Sequence, residues 1–182
     1  MFLPTLPSQP IPLCVATVVL VAASTDIVAR RIPNRMILFG LFASLLVHAW
    51  LDGVVAGTGN WLAGAMTGFA LLIPLYFVRG TSAGDVKLLL MIGSWVGPEM
   101  VLAITLATFV IGGAWSIAFA VARRRTLQLF LNLQTLFRQA LRPMRMTGAK
   151  AGVPPQIVSI GSLPYGVAIA AGTLGVLFAA AT

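Results

Sequence analysis

Charge is scarce in this chain, and negative charge scarcer still: of 182 residues, 9% are charged and four are acidic. Soluble domains carry about 25% charged residues. A chain that is also 59% hydrophobic is therefore not an ordinary soluble domain. Cysteine is nearly absent as well. The single Cys14 can close no intramolecular disulfide and supplies no cysteine cluster for zinc. Disorder requires low hydrophobicity, and the mean hydropathy here is +0.98. The net charge of +8 comes from clustered cations in an otherwise uncharged chain. Their placement fits a membrane surface, and no nucleic-acid partner is expected.

What the chain has is long apolar runs, and a bilayer-crossing helix needs roughly 17 to 25 such residues. Six runs stand out: Leu13 to Ala29, Ile37 to Leu51, Trp61 to Val78, Val86 to Val96, Met100 to Ala122 and Ile157 to Ala181. The expected fold is all-α, a polytopic membrane protein with six transmembrane helices in a single integral domain over residues 1–182. The fourth run, 11 residues long, spans roughly 17 Å, short of a bilayer core of about 30 Å. Charge argues for keeping it. With six crossings, Arg30, Arg31, Arg35, Arg79, Lys87 and the seven cations of residues 123–150 fall on one face, which makes all 12 basic residues. By the positive-inside rule that face is cytoplasmic, and both termini are then external.

Residues 1–12 hold Pro4, Pro7, Pro10 and Pro12 but no Lys or Arg, so they read as an extended external tail without the basic start of a signal peptide. Gly64 and Gly68, like Gly93 and Gly97, are spaced by four and predict close helix packing. In the basic cytoplasmic loop, residues 123–150, the polar Gln128, Asn132, Thr135, Gln139 and Arg142 lie opposite Leu129, Leu133, Leu136, Phe137 and Leu141. That period predicts an amphipathic helix on the anionic inner leaflet; a docking surface for a partner is the alternative.

In so apolar a chain every acid needs a reason, because an ionised carboxylate inside the bilayer costs several kcal/mol. Asp52 in its Asp-Gly turn and Glu99 beside Pro98 read as solvated loop residues. His48 reads as interfacial or packed. Asp26 closes an apolar helix at the end where the dipole disfavours an anion. An i,i+4 pair with Arg30 would make it an anchor. Asp85, after Gly80-Thr81-Ser82-Ala83-Gly84, reads by itself as a helix N-cap. Taken together, the two lie 59 positions apart yet on the same membrane face. Two carboxylates that share a proton can activate a water and polarise a carbonyl.

The residues around both acids carry a resemblance. Asp26-Ile-Val-Ala-Arg-Arg-Ile-Pro-Asn34 resembles the first aspartate motif of type IV prepilin peptidases, and Ser82-Ala83-Gly84-Asp85-Val86-Lys87 resembles their G-x-G-D-x-K motif. Leu163-Pro164-Tyr165-Gly166-Val167-Ala168 is similar to the segment opening their last helix. The resemblance implies a membrane aspartic endopeptidase of the bacterial inner membrane, cutting the leader from prepilins at the cytoplasmic face without metal or cofactor. It implies Asp26 and Asp85 as catalytic pair, and Arg30, Arg31, Pro33, Asn34, Ser82, Gly84 and Lys87 as substrate-binding or structural support. Ser82 stands where the family has its first glycine, a departure that bears on loop geometry. Longer members add paired Cys-x-x-Cys motifs and N-methylate the new terminus; with Cys14 alone, this chain looks like the short form serving Flp-type pili. A proton-coupled transporter with Asp26, Arg30 and Asp85 as relay, a non-catalytic assembly subunit and, among proteases, a preflagellin or presenilin-type enzyme are the alternatives. A relay is expected near the bilayer midplane, and Ile32-Pro33-Asn34 favours the prepilin enzyme over the presenilin type.

Overall fold

The computed structural model describes residues 5–77, 80–122, 134 and 165–182. These form five helices: α1 (Ile11–Ala29), α2 (Asn34–Leu51), α3 (Val54–Phe77), α4 (Ala83–Ala122) and α5 (Tyr165–Ala181). The first four are long and apolar enough to cross a membrane, while α5, with 17 residues, is a shorter apolar helix. Large apolar side chains face outward along the bundle, with Val28 86% and Val55 89% exposed. So much exposed apolar surface suits a lipid surround and not water.

The expectation of six crossings is overturned. The fourth and fifth apolar runs form one 40-residue element, α4, in which two helical stretches meet across a kink where Gly97 leaves helical geometry (φ 80°, ψ 175°) ahead of Pro98. A Gly-Pro pair reads in sequence as a turn between two crossings. Here a single residue in the left-handed region, which glycine tolerates without a Cβ clash, deflects the chain, and Pro98 starts a new helical stretch where its missing N–H costs nothing. Of the sixth run, helix is described from Tyr165 onward, and residues 157–164 lie outside the described residues. So do Met1 to Pro4, Arg79 and, apart from an exposed helical Gln134, the amphipathic stretch and the basic loop 123–150.

Small residues set the packing. A Cβ placed on Gly64 of α3 would strike the carbonyl of Gly93 on α4, and one on Gly93 would strike the carbonyl of Gly64. One turn along, Gly68 meets the carbonyl of Leu89 in the same way. The two backbones thus touch directly, as four-residue glycine spacing allows. Gly97 serves twice: its Cα would lie 2.9 Å from a Cβ on Gly64, and it also makes the bend. Between α1, α4 and α5 the core is filled by Val15, Val19, Ala22, Leu88, Ile92, Ile104 and Ile169, all buried.

Sharp helix stops bring the motifs to one end. α1 ends at Arg30, held left-handed (φ 50°) with its N–H bonded to the Asp26 carbonyl. Pro33 then adopts an extended conformation (ψ 128°), and its carbonyl accepts the Met36 N–H at 3.0 Å as α2 begins. Both α1 and α3 end at the end of the bundle where α2 and α4 start, so the last turn of α1 and the first turn of α4 become neighbours.

Candidate active site

Asp85 lies in the first turn of α4 and is 4% exposed. Its Oδ2 accepts three hydrogen bonds: from the Ser82 hydroxyl (2.7 Å), the Ser82 N–H (3.1 Å) and the Thr81 hydroxyl (3.1 Å). The Asp85 N–H in turn donates to the Ser82 hydroxyl oxygen at 3.3 Å. That reciprocity is a capping box. Ser82 is the N-cap and Asp85 the residue three positions in, which corrects the reading of Asp85 as the cap itself. It also gives Ser82 a use that a glycine could not serve: its hydroxyl both caps the helix and holds the carboxylate.

Asp26, half-buried in the last turn of α1, is held from elsewhere. Its Oδ2 accepts the N–H of Gly166, in the first turn of α5, at 2.8 Å. The two carboxylates are close enough for the charge of Asp26 to act on Asp85, and that of Asp85 reaches Tyr165. Three segments far apart in sequence therefore meet at one point.

A cleft of about 290 Å³ opens there, lined by Asp26, Arg30, Arg31, Ile32, Asn34, Ser82, Gly84 and Lys87. Asp85 is absent from that wall and sits behind it, bonded to Ser82. Lys87 donates to Asn34 Oδ1 at 3.1 Å, tying the start of α4 to the start of α2. The same two residues line a second, largely apolar cavity of about 300 Å³ with Ile37, Leu38, Leu41 and Leu90. Eight of the nine residues singled out in the sequence thus lie in or against the cleft. The ninth, Pro33, is exposed and serves the start of α2.

Sequence reasoning missed two groups at this end. Thr81 hides in a stretch that reads as generic loop, although a hydroxyl four residues before an acid can reach it. Gly166 was visible only as part of a motif, because its partner is 140 positions away. Among the described residues no three His, Cys, Asp or Glu side chains come together as a metal-ligand group. Chemically, the cleft offers the Asp26 carboxylate with Arg30, Arg31 and Lys87 around it, and Asp85 bonded behind Ser82 of its wall.

Comparison with known proteins shows the family. Residues 13–117 match the type IV leader peptidase family. That stretch is more than half of the chain and contains both aspartates, so the protein belongs to this family. Over 112 residues it is 31% identical to the prepilin leader peptidase/N-methyltransferase of Bacillus subtilis (strain 168), a match covering 59% of this chain and 44% of that protein. The chain thus matches less than half the length of this relative. No solved structure matches.

Proposed function

We propose that this protein is a membrane aspartic endopeptidase that removes the leader peptide from prepilin-like substrates. The observation that carries the reading is the meeting of Asp26 and Asp85 beside one cleft, each within the motif that resembles the family's. One carboxylate takes a proton from water as the water oxygen attacks the scissile carbonyl carbon; the other, protonated, donates to the carbonyl oxygen. Collapse of the tetrahedral intermediate breaks the C–N bond: the amine leaves with the proton taken from water, and as the C=O re-forms a hydroxyl of the intermediate returns its proton to the second carboxylate. The pair thereby returns to its starting state of one shared proton.

Arg30, Arg31 and Lys87 at the mouth of the cleft support a cytoplasmic location, because cations are retained on that side of the membrane. This argument needs no count of crossings. In the same reading the seven cations of residues 123–150 sit against anionic inner-leaflet lipid. Pilus assembly, with Flp-type pilins as first candidates, is the process served. Co-expression with candidate prepilins, read by the mass of the pilin, tests the proposal: the leader should be lost. Leader removal that persists unchanged when both aspartates are Asn would overturn it.

A further inference from the structure

Asp26 and Asp85 are held by different means. Asp85 takes its three hydrogen bonds from Thr81 and Ser82, in the turn that precedes it. Whatever α4 does, that loop moves with it. Asp26 instead takes its bond from another helix, through the Gly166 N–H at 2.8 Å.

The contact is closely fitted. A Cβ on Gly166 would lie 2.8 Å from Asp26 Oδ2, 3.1 Å from Asp26 Cβ and 3.2 Å from its Cγ. Moving the far end of a side chain would not relieve this, because the Asp26 Cβ is fixed to the α1 backbone. Only glycine lets the amide approach. The free N–H groups of a helix's first turn point outward along its axis, and this end of the helix also favours an anion. Gly166 is buried, as are Ala168, Ile169 and Ala170 after it, so α5 has little freedom to shift the donor.

We propose that Gly166 is a positioning residue for Asp26: its backbone N–H occupies one carboxylate oxygen and fixes the direction in which the other faces the cleft. The last helix thereby completes a site whose recognisable aspartate motifs both lie in the first half of the chain. This rests on the peptidase reading above. An error of about 1 Å in a reacting group can cost on the order of a hundredfold in rate, and substrate contacts made by the cleft wall are untouched by it.

The test uses the full chain in detergent with a prepilin substrate. Gly166→Ala should lower kcat at least about a hundredfold and leave KM within about twofold, the pattern of a lost transition-state geometry. Gly175→Ala, where a Cβ meets nothing within 4 Å, should cleave normally. Gly172→Ala, whose Cβ would press on Thr108, should cost thermal stability while the folded fraction keeps its kcat. A readout independent of turnover is the Gly166 amide proton in ¹⁵N-glycine-labelled protein, which should move upfield in Asp26→Ala. Normal kcat in Gly166→Ala, or an amide that does not respond to Asp26, overturns the positioning role while leaving the peptidase reading intact. A wild-type protein that cuts no prepilin overturns the reading, and the role with it.

Discussion

The two ends of the bundle treat an acid in opposite ways. At the cleft end, Asp26 and Asp85 are bonded by hydroxyls and backbone N–H groups, and Asp26 lines a cavity. At the other end Asp52, 45% exposed, bonds His48 Nδ1 at 3.0 Å, and the imidazole is 3% exposed. His48 Nε2 reaches the Trp95 carbonyl at 3.0 Å, two residues before the bend at Gly97. A carbonyl only accepts, so Nε2 is the donor there, and Nδ1 is hydrogen-bonded to the Asp52 carboxyl. The bend leaves carbonyls of α4 without helical partners, and the imidazole supplies one of them. The lesson is that an ionisable group in a charge-poor membrane protein is informative through its access. His48 is buried and occupied on both nitrogens; Asp26 lines an open cleft.

That contrast breaks most sharply at the dyad. Asp26→Asn and Asp85→Asn should each leave a folded, membrane-inserted protein whose cleavage falls by at least about three orders of magnitude, with the double variant little worse, as for groups that act as a unit. Rates of prepilin processing at matched protein levels decide it. Near-normal processing by either single variant would place these acids with Asp52, as structural groups.

The opposite end should respond in stability and not in turnover. His48→Ala removes the partner of the buried Trp95 carbonyl, at a cost of about 1–3 kcal/mol for the unsatisfied group. Asp52→Asn should cost under about 1 kcal/mol, since so exposed a pair contributes little. Thermal unfolding in detergent should separate the two, and the folded fraction of each should cleave at the wild-type rate. A His48→Ala protein that is fully stable yet slow would mean that the two ends are coupled.

Packing between α3 and α4 lies between these extremes, since it serves both ends. Gly64→Ala drives a methyl into the Gly93 carbonyl, and overpacking of this kind costs about 1–3 kcal/mol. Gly59→Ala, on the same helix with nothing within 4 Å of the new Cβ, should be neutral or slightly stabilising. Equal melting temperatures for the two would show that the helices separate easily there.

Much of this was legible before any coordinates. Apolar runs located α1, α2 and α3, glycine spacing marked Gly64 and Gly93 as positions of close helix packing, and two local motifs pointed to both aspartates. What failed, failed for physical reasons. Hydropathy counts apolar windows and is blind to backbone dihedrals, so the bend at Gly97 read as a boundary between crossings. Asp85 reads as a cap because the sequence cannot say whether Ser82 or Asp85 starts the helix; both are good caps. His48 and Gly166 escaped because their partners stand 47 and 140 positions away. Local spacing carries no information about contacts made only when helices pack.

The smallest effect belongs to the one residue that departs from the motif. Ser82→Gly restores the family's glycine and removes the hydroxyl that bonds Asp85 at 2.7 Å. As an N-cap change this costs only a few tenths of a kcal/mol. The residue 82 N–H and the Thr81 hydroxyl still converge on Asp85 Oδ2, so two of three donors survive. Cleavage should therefore fall by less than about tenfold, the equivalent of one ordinary hydrogen bond, and protein levels should hold. Ser82→Ala should be slightly worse, because alanine caps poorly where glycine is tolerated. Paired rate measurements on the two variants separate the roles. A much larger loss in both would show that the hydroxyl itself, beyond its part in holding the loop, is required by Asp85.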